Sequence, residues 1–174
     1  MIKKEVRLSG SGGQGMILAG VTLADAAIKA GFNAVQTQSY GPEARGGASR
    51  AEVIISDQPV DYPKVSSPDI FLALTSESYG KYCNDIRSDG IIIIDETLQA
   101  TDCPEDALSL PIVAKAREAG LEITANMVAL GVLGALLKDV LDKDYLIEAI
   151  NERVPSGTAK MNIQAFQNGY AMIK

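Results

Sequence analysis

Histidine is absent from this 174-residue chain, and cysteine occurs only twice. Without an imidazole there is no His-based triad, no imidazole acid or base and no His metal site. Cys83 and Cys103 cannot supply the four thiolates of an iron–sulfur cluster. One disulfide is arithmetically possible, but the reading adopted is two free thiols in a reducing cytoplasm. Residues 1–8 form neither a signal peptide nor a span, and no apolar run approaches the roughly 20 residues that cross a bilayer. Cations are also in deficit. Lys plus Arg number 16 against 22 Asp plus Glu, a net charge of −6. A general nucleic-acid binder needs the opposite balance.

What remains is ordinary globular composition, 47% hydrophobic and 22% charged. The length suits one domain and buries roughly 70% of the extended surface, enough for a core without staples. Charge is uneven along the chain. Residues 1–50 carry six cations and three anions, whereas residues 51–174 carry ten and nineteen. A cationic N-terminal segment in an acidic protein suggests a local anion site, with chance over fifty residues as the plain alternative.

Apolar periodicity and breakers predict strands at 5–9, 33–37, 48–56, 69–74, 90–95 and 108–110. Helices are predicted at 15–30, 76–87, 112–119, 125–137, 143–154 and 158–173. In the first helix Ile17, Val21, Ala24 and Ile28 recur at helical spacing, and Ser76 is the expected cap of the second. The run at 90–95 is rich in β-branched residues and reads as a fully buried strand. Residues 125–137 are apolar almost all round, and Gly131 and Gly134 would permit close contact. Strands alternating with helices predict an α/β fold with a mostly parallel sheet between helical layers, as one domain with a helical C-terminal part. The strand at 48–56 follows a loop rather than a helix and is free to pair antiparallel.

Gly10-Ser11-Gly12-Gly13-Gln14-Gly15 satisfies G-x-G-x-x-G between a predicted strand and a predicted helix. Glycines allow a tight turn and close approach of a ligand. The unpaired amides at the helix start, aided by the helix dipole, suit phosphate. Nicotinamide binding would want an acid near the end of the second strand. Val35-Gln36-Thr37-Gln38-Ser39 stands there instead, so a stand-alone nicotinamide or flavin oxidoreductase is the weaker reading. A turn that only packs is the other alternative. No Lys-Ser or Lys-Thr follows the glycines, which excludes a Walker A loop.

The second glycine-rich stretch runs Ser39-Tyr40-Gly41-Pro42-Glu43-Ala44-Arg45-Gly46-Gly47. At the carboxyl end of a strand it would meet the first loop at one rim, one giving amides and the other the Arg45 guanidinium fork. Gly46 and Gly47 would leave the backbone uncovered, and Tyr40, Gly41, Pro42 and Glu43 would suit a partner's surface. A solvated arginine in a plain turn is the default for Arg45 taken alone.

Together, residues 10–15, residues 38–49 and Asn126-Met127-Val128-Ala129-Leu130-Gly131 resemble the gamma subunit of the 2-oxoacid:ferredoxin oxidoreductases. The resemblance extends over essentially the whole chain, and Ser-Tyr-Gly-Pro-Glu is similar to the 2-oxoglutarate and general 2-oxoacid branch. It implies a Rossmann-like three-layer α/β/α sandwich. It further implies a multi-subunit enzyme that decarboxylates a 2-oxoacid with coenzyme A, giving acyl-CoA, carbon dioxide and reduced ferredoxin. Thiamine diphosphate with magnesium would lie on the alpha and beta subunits, and iron–sulfur clusters on beta, delta or both. The gamma subunit would cover part of the active site and help form the coenzyme A passage. This chain has no Gly-Asp-Gly…Asn-Asn pattern for thiamine diphosphate, so it would contribute no catalytic or metal-binding residue of its own. Coenzyme A phosphates are the expected guests of residues 10–15 and of Arg45, Gly46 and Gly47. Made alone, the chain would be able to hide its interface as a homodimer.

Other residues draw plainer readings. Cys83 packs in a helix, and Cys103 is incidental beside Pro104. Asp95 and Glu96 end a buried strand as a helix cap or a solvated pair. Asp25 is an exposed mid-helix acid. Asn126 caps a buried helix or touches a ligand.

Overall fold

A computed structural model describes residues 1–39, 47–98 and 103–174. Strands β1 (Lys3–Ser11), β2 (Asn33–Gln38), β3 (Ala48–Ser56), β4 (Ile70–Ala73), β5 (Ile91–Asp95) and β6 (Leu108–Leu110) form one sheet in the order β2-β3-β1-β4-β5-β6. β1, β4, β5 and β6 pair in parallel, whereas β3 is antiparallel to both β1 and β2. Five strands therefore point one way. β3 runs back between β1 and β2, as its loop connection predicts. The register sets Gly10 opposite Ser49 and Ser11 opposite Ala48, so the first glycine turn leaves the sheet beside the start of β3.

The helices are α1 (Met16–Lys29), α2 (Ser76–Tyr82), α3 (Ile112–Glu118), α4 (Ala125–Leu136), α5 (Lys143–Arg153) and α6 (Ala159–Tyr170). The main core joins α1, α3, α4, α5 and α6 to one face of the sheet through Val6, Leu8, Val53, Leu72 and Ile93. On the other face, α2 sets Tyr79 and Tyr82 against Phe71, Ala73 and Ala48. The three layers are thus unequal, five helices against one among the described residues. No helix there is long and apolar enough to cross a membrane.

Several expectations are corrected. Of the expected stripe in α1 Ala24 is buried, but Ile17 and Val21 are half-buried and Ile28 is 55% exposed, while Met16, Ala19, Gly20, Leu23 and Ala27 face the core. Glycine stands where β3 comes closest: a Cβ on Gly20 would sit 2.9 Å from Ala51 Cβ. α2 stops at Tyr82 rather than 87 and is capped by Thr75, whose hydroxyl accepts from the Ser78 amide at 3.2 Å, not by Ser76. The stop was written in Asn84-Asp85, since Asp85 adopts a left-handed φ of 61°. Asp25 is half-buried and pairs with Arg153 of α5. For Asp95 the expected helix cap holds: the fully buried carboxylate accepts from the Val113 amide at 2.8 Å and caps α3.

Close helix contact through glycine holds, with a partner the sequence did not point to. A Cβ on Gly131 would lie 2.0 Å from the Phe166 carbonyl oxygen, and one on Gly169 of α6 would lie 1.9 Å from that of Val128. The α4 and α6 backbones touch at this crossing.

Candidate functional site

The glycine turn is braced from within. The Gly12 amide donates to the Gly47 carbonyl at 2.8 Å, which ties the two loops at one rim. The Ser11 amide donates to Gln14 Oε1 at 2.8 Å, and the Gln14 amide to the Ser11 carbonyl at 3.1 Å. Gln14 therefore closes the turn with its own side chain. Gly10 makes room for it, because a Cβ there would lie 2.6 Å from Gln14 Oε1. Gly13 and Gly15 take φ of 92° and 74°, conformations that cost an L-residue about 1–2 kcal/mol each. Gly15 opens α1 with no side chain capping the first turn. The amides at the start of α1 thus keep the partial positive charge of the helix dipole beside the rim.

Asn126 pins this turn to α4. It donates Nδ2 to the Gly15 carbonyl at 3.3 Å and accepts the Met127 amide on Oδ1 at 2.9 Å. A Cβ on Gly15 would come 2.5 Å from that Nδ2, so glycine is needed here for space as well as for conformation. Asn126 thus satisfies a first-turn amide of α4, in keeping with the expected cap, and adds a tie between two elements.

A cleft of about 230 Å³ opens between the loops, lined by Gly12, Gly13, Gly15, Met16, Ile17, Ser39 and Ser49. Nothing stands within 4 Å of where a Gly13 Cβ would project. Small-molecule pockets commonly hold about 300–1,000 Å³, so this cleft takes a phosphate-sized part of a ligand rather than a whole nucleotide. Ser39 and Ser49 were not singled out from the sequence. They come into view only because β3 folds back beside β1. The feet of the second loop are closed by the Ser39 amide donating to the Arg50 carbonyl at 3.0 Å and the Arg50 amide to Ser39 Oγ at 3.1 Å. Of the expected site residues, Gly10, Ser11, Gly12, Gly13, Gln14, Gly15 and Gly47 meet at this rim. Tyr40, Gly41, Pro42, Glu43, Arg45 and Gly46 lie outside the described residues.

Beneath the rim, on the α2 face, is a charged group that the sequence reading passed over. Arg7 is buried and donates Nε to Glu52 at 2.7 Å and NH1 to the carbonyls of Tyr82 and Asn84. Arg50 lies 3.7 Å from the same carboxylate and stacks over the Tyr82 ring at 5.0 Å. Tyr82 in turn donates its hydroxyl to the Ala48 carbonyl at 3.1 Å, holding the first residue of β3. Charged residues at alternate positions of two adjacent strands, Glu5 and Arg7 on β1 and Arg50 and Glu52 on β3, were the available signal.

A larger cleft of about 850 Å³ lies at the other end of β5, lined by residues of 83–92 and of the stretch before β6. Its lining glycine, Gly90, closes a turn on the Arg87 carbonyl at 2.9 Å and leads into a strand rather than a helix, so size alone does not make it the phosphate site.

A six-stranded sheet with β3 reversed, and an uncapped glycine turn joined to the β2–β3 loop, define an α/β fold class set apart from the dinucleotide-binding domain. In the dinucleotide-binding domain the second strand lies beside the first and ends in an acid. Here β3 separates them, and Gln38 ends β2. The chain belongs to the pyruvate ferredoxin/flavodoxin oxidoreductase family, whose model matches residues 5–172. It is 48% identical over 179 positions to 2-oxoglutarate synthase subunit KorC of Methanocaldococcus jannaschii, covering 99% of this chain and 95% of that one. Among solved structures it is similar to the gamma subunit of a keto/oxoacid ferredoxin oxidoreductase from Geobacter sulfurreducens. The identity there is 44% and the TM-score 0.86, over 98% of this chain and 96% of the other. The same fold, at 24% identity and a TM-score of 0.86, occupies 31% of a longer chain of 2-oxoglutarate:ferredoxin oxidoreductase from Magnetococcus marinus. That enzyme was solved with 2-oxoglutarate, coenzyme A and succinyl-CoA bound, and 99% of the present chain is covered.

Proposed function

We propose that this chain is the gamma-type subunit of a 2-oxoglutarate:ferredoxin oxidoreductase, and that its glycine rim holds phosphate groups of coenzyme A while partner subunits carry out the chemistry. The observation that carries the reading is the turn at 10–15, tied to Gly47 and opening on an uncapped helix start. Full-length similarity to a 2-oxoglutarate synthase subunit supports the choice of substrate.

The division of labour follows from the residues present. Two thiols, both free, do not fit an iron–sulfur cluster. Thiamine diphosphate, magnesium and the clusters therefore fall to alpha, beta and delta partners, with ferredoxin as acceptor. Coenzyme A, when bound, supplies the thiol that takes the acyl group. The work of this chain is positional. Left-handed glycines keep the backbone open, the α1 start presents amides to an anion, and Ser39 and Ser49 furnish hydroxyls on the opposite wall. The cleft is smaller than the nucleotide, so the rest of coenzyme A would lie against Arg45 and Gly46 and against a partner surface that includes Tyr40, Gly41, Pro42 and Glu43. Two free thiols agree with a cytoplasmic setting.

Reconstitution from separately purified subunits tests this. Reduction of a viologen dye that depends on both 2-oxoglutarate and coenzyme A should require this chain. Full activity from the partners alone would overturn the assignment.

A further inference from the structure

The rim has two sides, and each hangs from a different helix. The glycine turn is pinned to α4 through Asn126. The side formed by Gly47 and Ala48 has its support on α2. Ala48 lies past the last β2–β3 pair, Gln38 with Ala51. The Arg50 carbonyl points toward β2, where it accepts the Ser39 amide at 3.0 Å, and alternation along the strand turns the Ala48 carbonyl the same way. There it accepts from the Tyr82 hydroxyl at 3.1 Å, in a buried bond. The carbonyl one residue earlier, on Gly47, points the opposite way and accepts the Gly12 amide at 2.8 Å. Tyr82 is thus one peptide unit removed from the hydrogen bond that joins the two loops.

The tyrosine is itself held rigidly. Its ring packs with Ala48, Phe71 and Tyr79, and Arg50 stacks over it at 5.0 Å. The end of α2 that carries it is fastened to β1. Arg7 donates NH1 to the carbonyls of Tyr82 and Asn84 at 3.0 and 2.7 Å, and Nε to Glu52 of β3 at 2.7 Å. A guanidinium on the last carbonyls of a helix satisfies them and opposes the negative end of the dipole. Packing alone would be served by phenylalanine at 82. A buried hydroxyl on a strand-end carbonyl also fixes the direction of that carbonyl.

We propose that Tyr82 is a positioning residue for coenzyme A. Its hydroxyl, on an α2 end clamped by Arg7, holds the peptide at 47–48 so that the Gly12–Gly47 bond stays closed, and this sets the width of the cleft between Gly12, Gly13 and Ser49. Tyr82 touches no ligand and acts through Ala48 and Gly47. The inference rests on the coenzyme A reading above.

Tyr82→Phe removes the hydroxyl and keeps the ring. In the full chain, amide exchange followed by NMR should speed at Gly12 by about fivefold or more, because its bond to Gly47 opens more often. The Ser11 amide, held by Gln14 Oε1 within the turn, should exchange at its original rate. In the assembled enzyme the KM for coenzyme A should rise about three- to tenfold, with kcat and the KM for 2-oxoglutarate unchanged. Arg7→Lys keeps a cation beside Glu52 but lacks the fork that grips Glu52 and both carbonyls together, so it should give the same pattern. Gly134→Ala, which crowds Leu146 away from the rim, should leave both KM values unchanged. An unchanged Gly12 exchange rate or an unchanged coenzyme A KM in Tyr82→Phe overturns the positioning role. Faster exchange throughout the core, or an equal rise in both KM values, overturns it too and leaves Tyr82 a packing residue. The coenzyme A reading survives these results if Gly13→Val still raises the coenzyme A KM. If Gly13→Val does not, that reading falls and the inference falls with it.

Discussion

At the residue scale, the glycines of the first turn have different jobs, and substitution separates them. Gly15 is constrained by both φ and space. Gly15→Ala should lose about 1–2 kcal/mol to the left-handed backbone and about 1–3 more to crowding against Asn126. Placing Gly15→Ala in an Asn126→Ala background should recover the crowding part only. A double-mutant cycle by urea denaturation reads that difference, and strict additivity would contradict the contact. Arg7 makes a second case. Removing the guanidinium leaves Glu52 buried beside Arg50 at 3.7 Å, so Arg7→Met should destabilise by about 3–5 kcal/mol on the same measurement. Glu5 sets a pH dependence. Burial raises its pKa, but Lys3 and the amides of Ser67 and Ser66 more than offset this and hold it below the ordinary 4.5. A depressed carboxylate stabilises the fold above its unfolded pKa, and that contribution is lost as pH falls through the folded value. Stability should therefore decline below about pH 4.5, and Glu5→Gln should make the acid limb shallower.

At the element scale, the α4–α6 crossing governs the main core. Gly131 faces backbone on its neighbour, whereas Gly134 faces the flexible end of Leu146, 2.7 Å from Cδ1. Gly131→Ala should thus cost more than Gly134→Ala, which a Leu146 rotamer relieves. Thermal melts of the two variants check the order, with overpacking at about 1–3 kcal/mol as the scale. These elements also show what the sequence makes legible. Residues 125–137 announce a buried helix because no polar face exists to turn outward, and 48–56 declares its direction through the loop before it. The mate of Gly131 did not show, because Gly169 sits in an amphipathic helix with no local mark of a crossing. α1 misled for a related reason. Its β-branched residues Ile17, Val21 and Ile28 suggest one stripe, while the tight approach to β3 at Gly20 turns the face of Met16, Ala19, Gly20 and Leu23 inward. Helix α2 ended early because Asn84-Asp85 outweighs the apolar spacing beyond it.

For the whole molecule, the rim was legible as two glycine-rich segments, but their meeting depended on strand order. Reversal of β3 brings Gly47 to Gly12 and brings Ser39 and Ser49 into the cleft. No local pattern states that order. The buried Arg7–Glu52 pair escaped notice because its partners are 45 residues apart in sequence. The same strand order separates this protein from the nicotinamide-binding arrangement. Titration with NAD(H) or NADP(H) should accordingly show no saturable binding at micromolar concentrations, and tight binding would favour the rival reading.

The most direct test of the coenzyme A assignment is steady-state kinetics of the assembled enzyme carrying Gly13→Val. The left-handed φ of 92° and the open space at Gly13 mean that valine both strains the turn and fills the cleft. The account predicts a KM for coenzyme A raised about tenfold or more, with the KM for 2-oxoglutarate unchanged and assembly intact. An unchanged coenzyme A KM in a correctly assembled Gly13→Val enzyme would contradict it.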